Sequence, residues 1–282
     1  MYDLPSEDPQ EPGLPDEFHD LQPQLLSRTL RLSRYTSDRY FTGTDLNLYY
    51  DVNHTQWHKR PDWFLVLDVP RLYDGVDLRS SYVVWQEGVN PFVVVELLSP
   101  GTEKEDLGEN AALAATSANG QPTQEQPPRK WDVYEKILRV PYYLVFSRYT
   151  NQLRCFHLVG GHYQEQRLDA GHPWFWVEEL DLGLGVWQGE FEGITRSWLR
   201  WCDRQGNWIS TDTEQEQQRA EQEQQRAEQE QQRAEQEQQR AEQAEAQLRQ
   251  VVLNLLQSGM SIEQISQLTG LPEKQVRQLT GS

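Results

Sequence analysis

Seven consecutive residues, Phe92-Val93-Val94-Val95-Glu96-Leu97-Leu98, place one carboxylate inside an otherwise apolar, β-branched run. Length and branching suit a strand covered on both faces, so the chain must supply a layer on each side of the sheet that holds it. Glu96 then needs a cation, a proton or a route to solvent, because burying an ionised carboxylate alone costs several kcal/mol. A second acid, Asp62, opens another apolar run, Trp63-Phe64-Leu65-Val66-Leu67, after Lys59-Arg60-Pro61. Two acids entering adjacent strands can share a metal ion. The plainer alternative makes Asp62 a strand-end turn residue and Glu96 the partner of a structural Arg or Lys.

With 282 residues, ten Trp, twelve Tyr and eight Phe, the chain can bury a substantial core in one large or two small domains. No stretch approaches the ~20 apolar residues of a membrane span. The N-terminus is acidic and Pro-rich rather than basic then apolar, so no signal peptide or membrane partner is expected and the cytoplasm is the expected location. Cys155 and Cys202, the two cysteines of the chain, are too few for a disulfide framework or a Cys-rich zinc site and read as reduced thiols. His54 and His58 have helical zinc-site spacing but lie in a Tyr-, Asn- and Trp-rich loop, so their spacing is read as coincidence. The net charge of −18 argues against broad attraction to nucleic acid, although residues 28–210, with 24 acids and 19 bases, are close to balance.

Residues 1–15 carry four prolines and no apolar period, which predicts a flexible acidic lead-in. A loose helical pattern follows over Asp16–Leu32. Strand-like runs at Leu46–Tyr50, Trp63–Leu67, Tyr82–Trp85 and Phe92–Leu98, separated by turn signals such as Asp74-Gly75 and Asn90-Pro91, predict a sheet meander. Residues 107–128 read as an inserted loop. Lys130–Leu138 then has helical spacing and stops before Pro141; Tyr142–Phe146 and Gln152–Val159 read as strands, the second joined through Gly160-Gly161 to a hairpin partner at His162–Leu168. This order of elements predicts an α/β or α+β core with a mixed sheet over 16–210.

Residues 214–241 are four identical copies of Glu-Gln-Glu-Gln-Gln-Arg-Ala, and the period continues through Leu248 and Leu255. Good helix formers and repeated i,i+3 Glu/Arg pairs predict one long helix over 211–247. One Ala per heptad makes a poor seam, so a weak oligomerising coil and a solvated spacer remain equal readings. Residues 248–282 form a helical hairpin or helix-turn-helix-sized unit, with a Ser261/Gln264 capping box, Gly270 as a stop and Pro272 as a restart. Either it packs against a partner, or it reads DNA through Lys274, Gln275, Arg277 and Gln278.

Metal-dependent phosphodiester cleavage needs carboxylates for a hard cation, a cationic group near the reacting oxygens and open coordination positions. Asp62 and Glu96 supply the acids, the backbone carbonyl of Leu97 a third oxygen, and Lys130 the cation. Such oxygen-only ligands suit magnesium, or manganese.

The string Pro61-Asp62, Val95-Glu96-Leu97-Leu98-Ser99-Pro100-Gly101-Thr102-Glu103-Lys104-Glu105-Asp106, Lys130-x-x-x-Tyr134 and Val140-Pro141-Tyr142-Tyr143-Leu144-Val145 resembles the Uma-type restriction endonucleases of the PD-(D/E)xK nuclease superfamily. The resemblance covers about residues 15–200. It implies a restriction-endonuclease-like core with a mixed central sheet flanked by helices, DNA as substrate, and possible self-association through the core or the heptad helix. It further implies that Asp62 and Glu96 bind the metal, that Lys130 fills the lysine role beside Tyr134, and that Glu17 is a candidate accessory acid. Three departures stand out. Leu98 occupies the superfamily's usual lysine position, leaving Lys104 and Lys136 as rivals to Lys130; the 107–128 insertion separates Asp106 from the helix lysine; and the Asp that commonly ends the next strand is replaced near Phe146-Ser147.

Overall fold

The computed structural model describes residues 16–99, 101–108, 126–168 and 174–280. The expected lead-in at 1–15 and residues 109–125 of the expected insertion lie outside this set. The chain forms two compact units, one ending at Asp212 and the other beginning at Thr213.

The first unit opens with α1 (Glu17–Thr29), started by Asp16, whose Oδ1 accepts from the N–H groups of Phe18 at 2.9 Å and His19 at 3.1 Å. There follow β1 (Tyr40–Thr44), β2 (Leu48–Tyr49), β3 (His58–Lys59), β4 (Trp63–Leu67), β5 (Tyr82–Val83), α2 (Val84–Glu87), β6 (Val93–Leu97) and α3 (Glu103–Leu107). Then come α4 (Lys130–Asp132), β7 (Tyr142–Ser147), β8 (Gln152–Val159), β9 (His162–Gln166), β10 (Trp174–Val177), β11 (Leu182–Phe191) and β12 (Ile194–Cys202). The order β1-β4-β6-β7-β8-β9 makes a six-stranded sheet that is mixed because β6 and β7 run parallel while the other pairs are antiparallel.

Period-two alternation explains why the central strands are apolar on both faces. Trp63, Leu65, Val93, Val95, Leu144 and Phe146 pack with Leu25 and Leu26 of α1 and with Trp198 and Trp201 of β12. On the other face Phe64, Val66, Val94, Tyr143 and Val145 pack with Val133, Tyr134 and Leu138. Each such side chain contributes about 1.5–3 kcal/mol when fully buried. Glu96, two residues after Val94, faces this second layer.

The expected meander is not continuous. β2, β3 and β5 form a separate small sheet in the order β3-β2-β5, because the Tyr82–Trp85 run leaves its strand after two residues and turns helical. Gly88, at φ 76°, closes that turn with its N–H on the carbonyl of Val84 at 2.8 Å. The segment after Lys130 also departs from a plain helix: α4 passes into a π-helical turn at Val133–Ile137, where the Leu138 N–H reaches the Val133 carbonyl at 2.8 Å.

The second unit carries α5 (Asp212–Gln257), α6 (Ile262–Thr269) and α7 (Glu273–Thr280). Val252, Ile265 and Val276 form its small core. The Ser261/Gln264 capping box starts α6, and left-handed Gly270 stops it.

Candidate active site

The register of β4 on β6 pairs Trp63 with Val95. One step outward, Asp62 stands across from Glu96, and its Oδ2 accepts the Leu97 N–H at 2.6 Å. Glu96 is fully buried. Its Oε2 accepts from Lys130 Nζ and its Oε1 from the Tyr134 hydroxyl, both at 2.8 Å. Lys130 and Tyr134 are four residues apart, so the helical segment presents both to the same carboxylate. Lys130 Nζ also lies 3.1 Å from Oδ1 of Asp106, a buried residue of α3. That oxygen is buried with no hydrogen bond of its own. Glu105 steadies the segment by accepting from the Lys130 backbone N–H at 3.0 Å and from Lys59 Nζ at 2.6 Å.

Two carboxylates, Glu96 and Asp106, therefore contact one ammonium, and Asp62 acts on it through its charge. Burial raises the Glu96 pKa well above the ordinary carboxylate range; Lys130 opposes the rise, and Asp62 and Asp106 add to it. Burial likewise raises Asp62, against the pull of Lys130, His19 and the Leu97 N–H. For Lys130 burial alone would lower the pKa, yet Asp106, Glu96 and Asp62 together hold the ammonium charged, well above its usual value. Burial, reinforced by Glu96, keeps the Tyr134 hydroxyl protonated and therefore a donor. The cluster has an excess of negative charge, and both the Lys130 side chain, 20% exposed, and Asp62 are partly open to solvent.

Among the described residues no three His, Cys, Asp or Glu side chains are arranged as a ready metal site. The oxygens that could hold a hard cation are those of two carboxylates, Asp62 and Glu96, and the Leu97 carbonyl. Each oxygen has further acceptor capacity beyond the contacts above. The Leu97 carbonyl lies 3.1 Å from His19 Nε2, and His19 Nδ1 lies 2.8 Å from Asp16 Oδ1.

Asp62, Glu96, Lys130 and Tyr134 are thus brought together, with the Leu97 N–H on Asp62 and its carbonyl against His19. Glu17 is exposed on the first turn of α1, and the α1 side chain that reaches the cluster is His19. Lys104 is exposed on α3, and Lys136 pairs with Asp132 at 2.5 Å. Sequence reasoning assigned no role to His19 or Asp106. Asp106 lay within the family-like string; for His19 the available signal was the Asp16-x-x-His19 spacing at a helix start.

A family model described as "Putative restriction endonuclease" matches residues 1–189, more than half of the chain. The chain belongs to the Uma2 family. No curated protein matches it. Membership gives this Uma2 protein a nuclease-like function, and the matched segment contains every member of the buried cluster. Among the described residues no helix is long and apolar enough to cross a membrane.

Proposed function

We propose that this Uma2 protein is a Mg2+-dependent endonuclease that hydrolyses DNA phosphodiester bonds, acting in the cytoplasm, where its two buried free thiols would stay reduced. The observation that carries the reading is the convergence of Asp62, Glu96 and Lys130 at one end of the central sheet. Asp62, Glu96 and the Leu97 carbonyl would hold the ion. A bound Mg2+ would polarise the phosphate and lower the pKa of a bound water. Tyr134 fixes one Glu96 oxygen, so the carboxylate keeps a single orientation. Asp106 holds Lys130 charged at the solvent-facing side, where the ammonium can donate to a phosphate oxygen as negative charge develops on it. Water would add to phosphorus and give up one proton to solvent, the bond from phosphorus to the leaving sugar oxygen would break, and that oxygen would take up a proton from solvent.

One observation favours a second reading, a non-catalytic nuclease-fold scaffold that binds partners through its C-terminal helices. Both Glu96 oxygens already have protein donors, so the carboxylate is held without an ion. Plasmid cleavage in Mg2+, beside Mg2+ titration calorimetry, separates the two. Asp62→Ala and Glu96→Gln should lose metal binding and cleavage together, and Lys130→Met should keep metal binding while cleavage falls roughly 100-fold or more. No Mg2+-dependent cleavage by the wild type, with equal metal affinity in wild type and all three variants, would establish the scaffold instead.

A further inference from the structure

Beside the cluster, at the same end of the sheet, two arginines stand together. Arg148 follows directly on β7, whose Phe146 pairs with Leu97 in parallel register. Contacts link them to the site in sequence. His19 bridges the Leu97 carbonyl and Asp16, Asp16 Oδ2 pairs with Arg148 at 2.6 Å, and the Arg148 carbonyl accepts from an Arg196 terminal nitrogen at 3.3 Å. Asp16 serves both the α1 cap and Arg148, whereas Arg196 forms no ion pair among the described residues. Its guanidinium carbon lies 4.3 Å from the Phe18 ring centroid and 5.4 Å from that of Trp198. The Arg196 Nε is buried without a hydrogen-bond partner. Burial, and then the charge of Arg148, pull its pKa below the ordinary guanidinium value.

Both guanidinium carbons lie near the Phe18 ring, at 5.9 Å for Arg148 and 4.3 Å for Arg196, and the one acid present pairs with Arg148 alone; two like charges so placed are unfavourable unless an anion completes the set. Stacking on aromatic rings fixes the guanidinium planes and leaves their edges as donors, the geometry that suits a phosphate oxygen. Simple packing of Arg196 on Phe18 would explain its apolar contacts. It does not explain why a second arginine is placed against it beside an acidic, nuclease-family site.

We infer that Arg148 and Arg196 form a phosphate-binding subsite that holds the DNA backbone next to the Asp62/Glu96 cluster. This rests on the nuclease reading and adds to it the residues that position the strand. They are positioning residues, remote from the reacting atoms.

The test is fluorescence anisotropy of a labelled DNA duplex over a KCl series, in EDTA so that cleavage does not intrude. Each phosphate contact contributes about 0.9 to the slope of log K against log salt, so losing one weakens binding about tenfold at ~0.1 M salt. Arg196→Met, which keeps the packing on Phe18, and Arg148→Gln should each show that loss, while Arg196→Lys should retain the slope. Mg2+ affinity by calorimetry should not change in any of them, which a general loss of folding would not allow. Unchanged slopes and affinities in Arg196→Met and Arg148→Gln overturn the subsite and leave the nuclease reading standing. Wild-type protein that does not bind DNA at any salt also overturns it, and Mg2+-dependent plasmid cleavage by the same preparation then decides whether the nuclease reading falls too.

Discussion

All five residues of β6 are buried, whereas in the 46 residues of α5 a single residue, Val252, is buried. The two segments are ordered by opposite means. β6 carries β-branched residues that gain by burial on two faces, and it tolerates one acid because Lys130 and Tyr134 are delivered to it from a distant part of the chain. α5 gains from helix propensity and from contacts one turn apart, such as the Gln224 amide donating to Glu228 at 3.0 Å and its repeats at Gln231 and Gln238. Changes in β6 or its partners should therefore propagate through the unit, and changes in α5 should stay local.

The largest expected effect is Lys130→Met. Removing one partner of a buried ion pair costs about 3–5 kcal/mol, because Glu96, Asp62 and Asp106 are left without their shared cation. The sign with pH follows from the raised carboxylate pKa values. A folded-state pKa above the unfolded value gives stability that is complete below the unfolded value and lost as pH rises through the folded one. Urea unfolding should thus find the variant's deficit larger at about pH 8 than at about pH 5. A deficit that does not vary with pH would mean that the acids are not ionising in the absence of lysine.

Next comes Ile265→Ala in the small helical core, which should cost about 2–5 kcal/mol there. Hydrogen exchange in α6 and α7 should accelerate while plasmid cleavage stays at the wild-type level. Loss of cleavage would show that the two units are not energetically separate. Smaller still is deletion of residues 228–234, one whole heptad whose residues are all exposed. It should shorten α5 by about 10 Å and leave the melting temperature of the first unit unchanged by calorimetry; a shift of several degrees would contradict the contrast drawn above. The smallest is Gln224→Ala, which removes one side-chain contact and should change helicity by circular dichroism by no more than about 0.5 kcal/mol equivalent.

The contrast also governs what could be read in advance. The heptad helix, the capping box and the Gly270 stop depend on neighbours in sequence and were legible as such. The Glu96 strand was legible because an acid inside a β-branched run has few explanations. Lys130 could be named from the residues as a candidate cation on the following helix, whereas the place of Tyr134 beside it came from the family resemblance, since nothing local to these residues says which strand they will meet. His19 and Asp106 join the cluster through tertiary packing of α1 and α3, across sequence separations that periodicity does not reach. The same holds for Arg148 and Arg196, and for the sheet of β10, β11 and β12 that covers α1. Tyr82–Trp85 was misread because its apolar pattern serves two residues of strand and one helical turn equally well.

A manganese soak of a crystal, with anomalous scattering, tests the central claim most directly. The account predicts one strong peak bounded by the Asp62 and Glu96 carboxylates and the Leu97 carbonyl. No peak there, with Lys130 still hydrogen-bonded to Glu96 at saturating manganese, would contradict it.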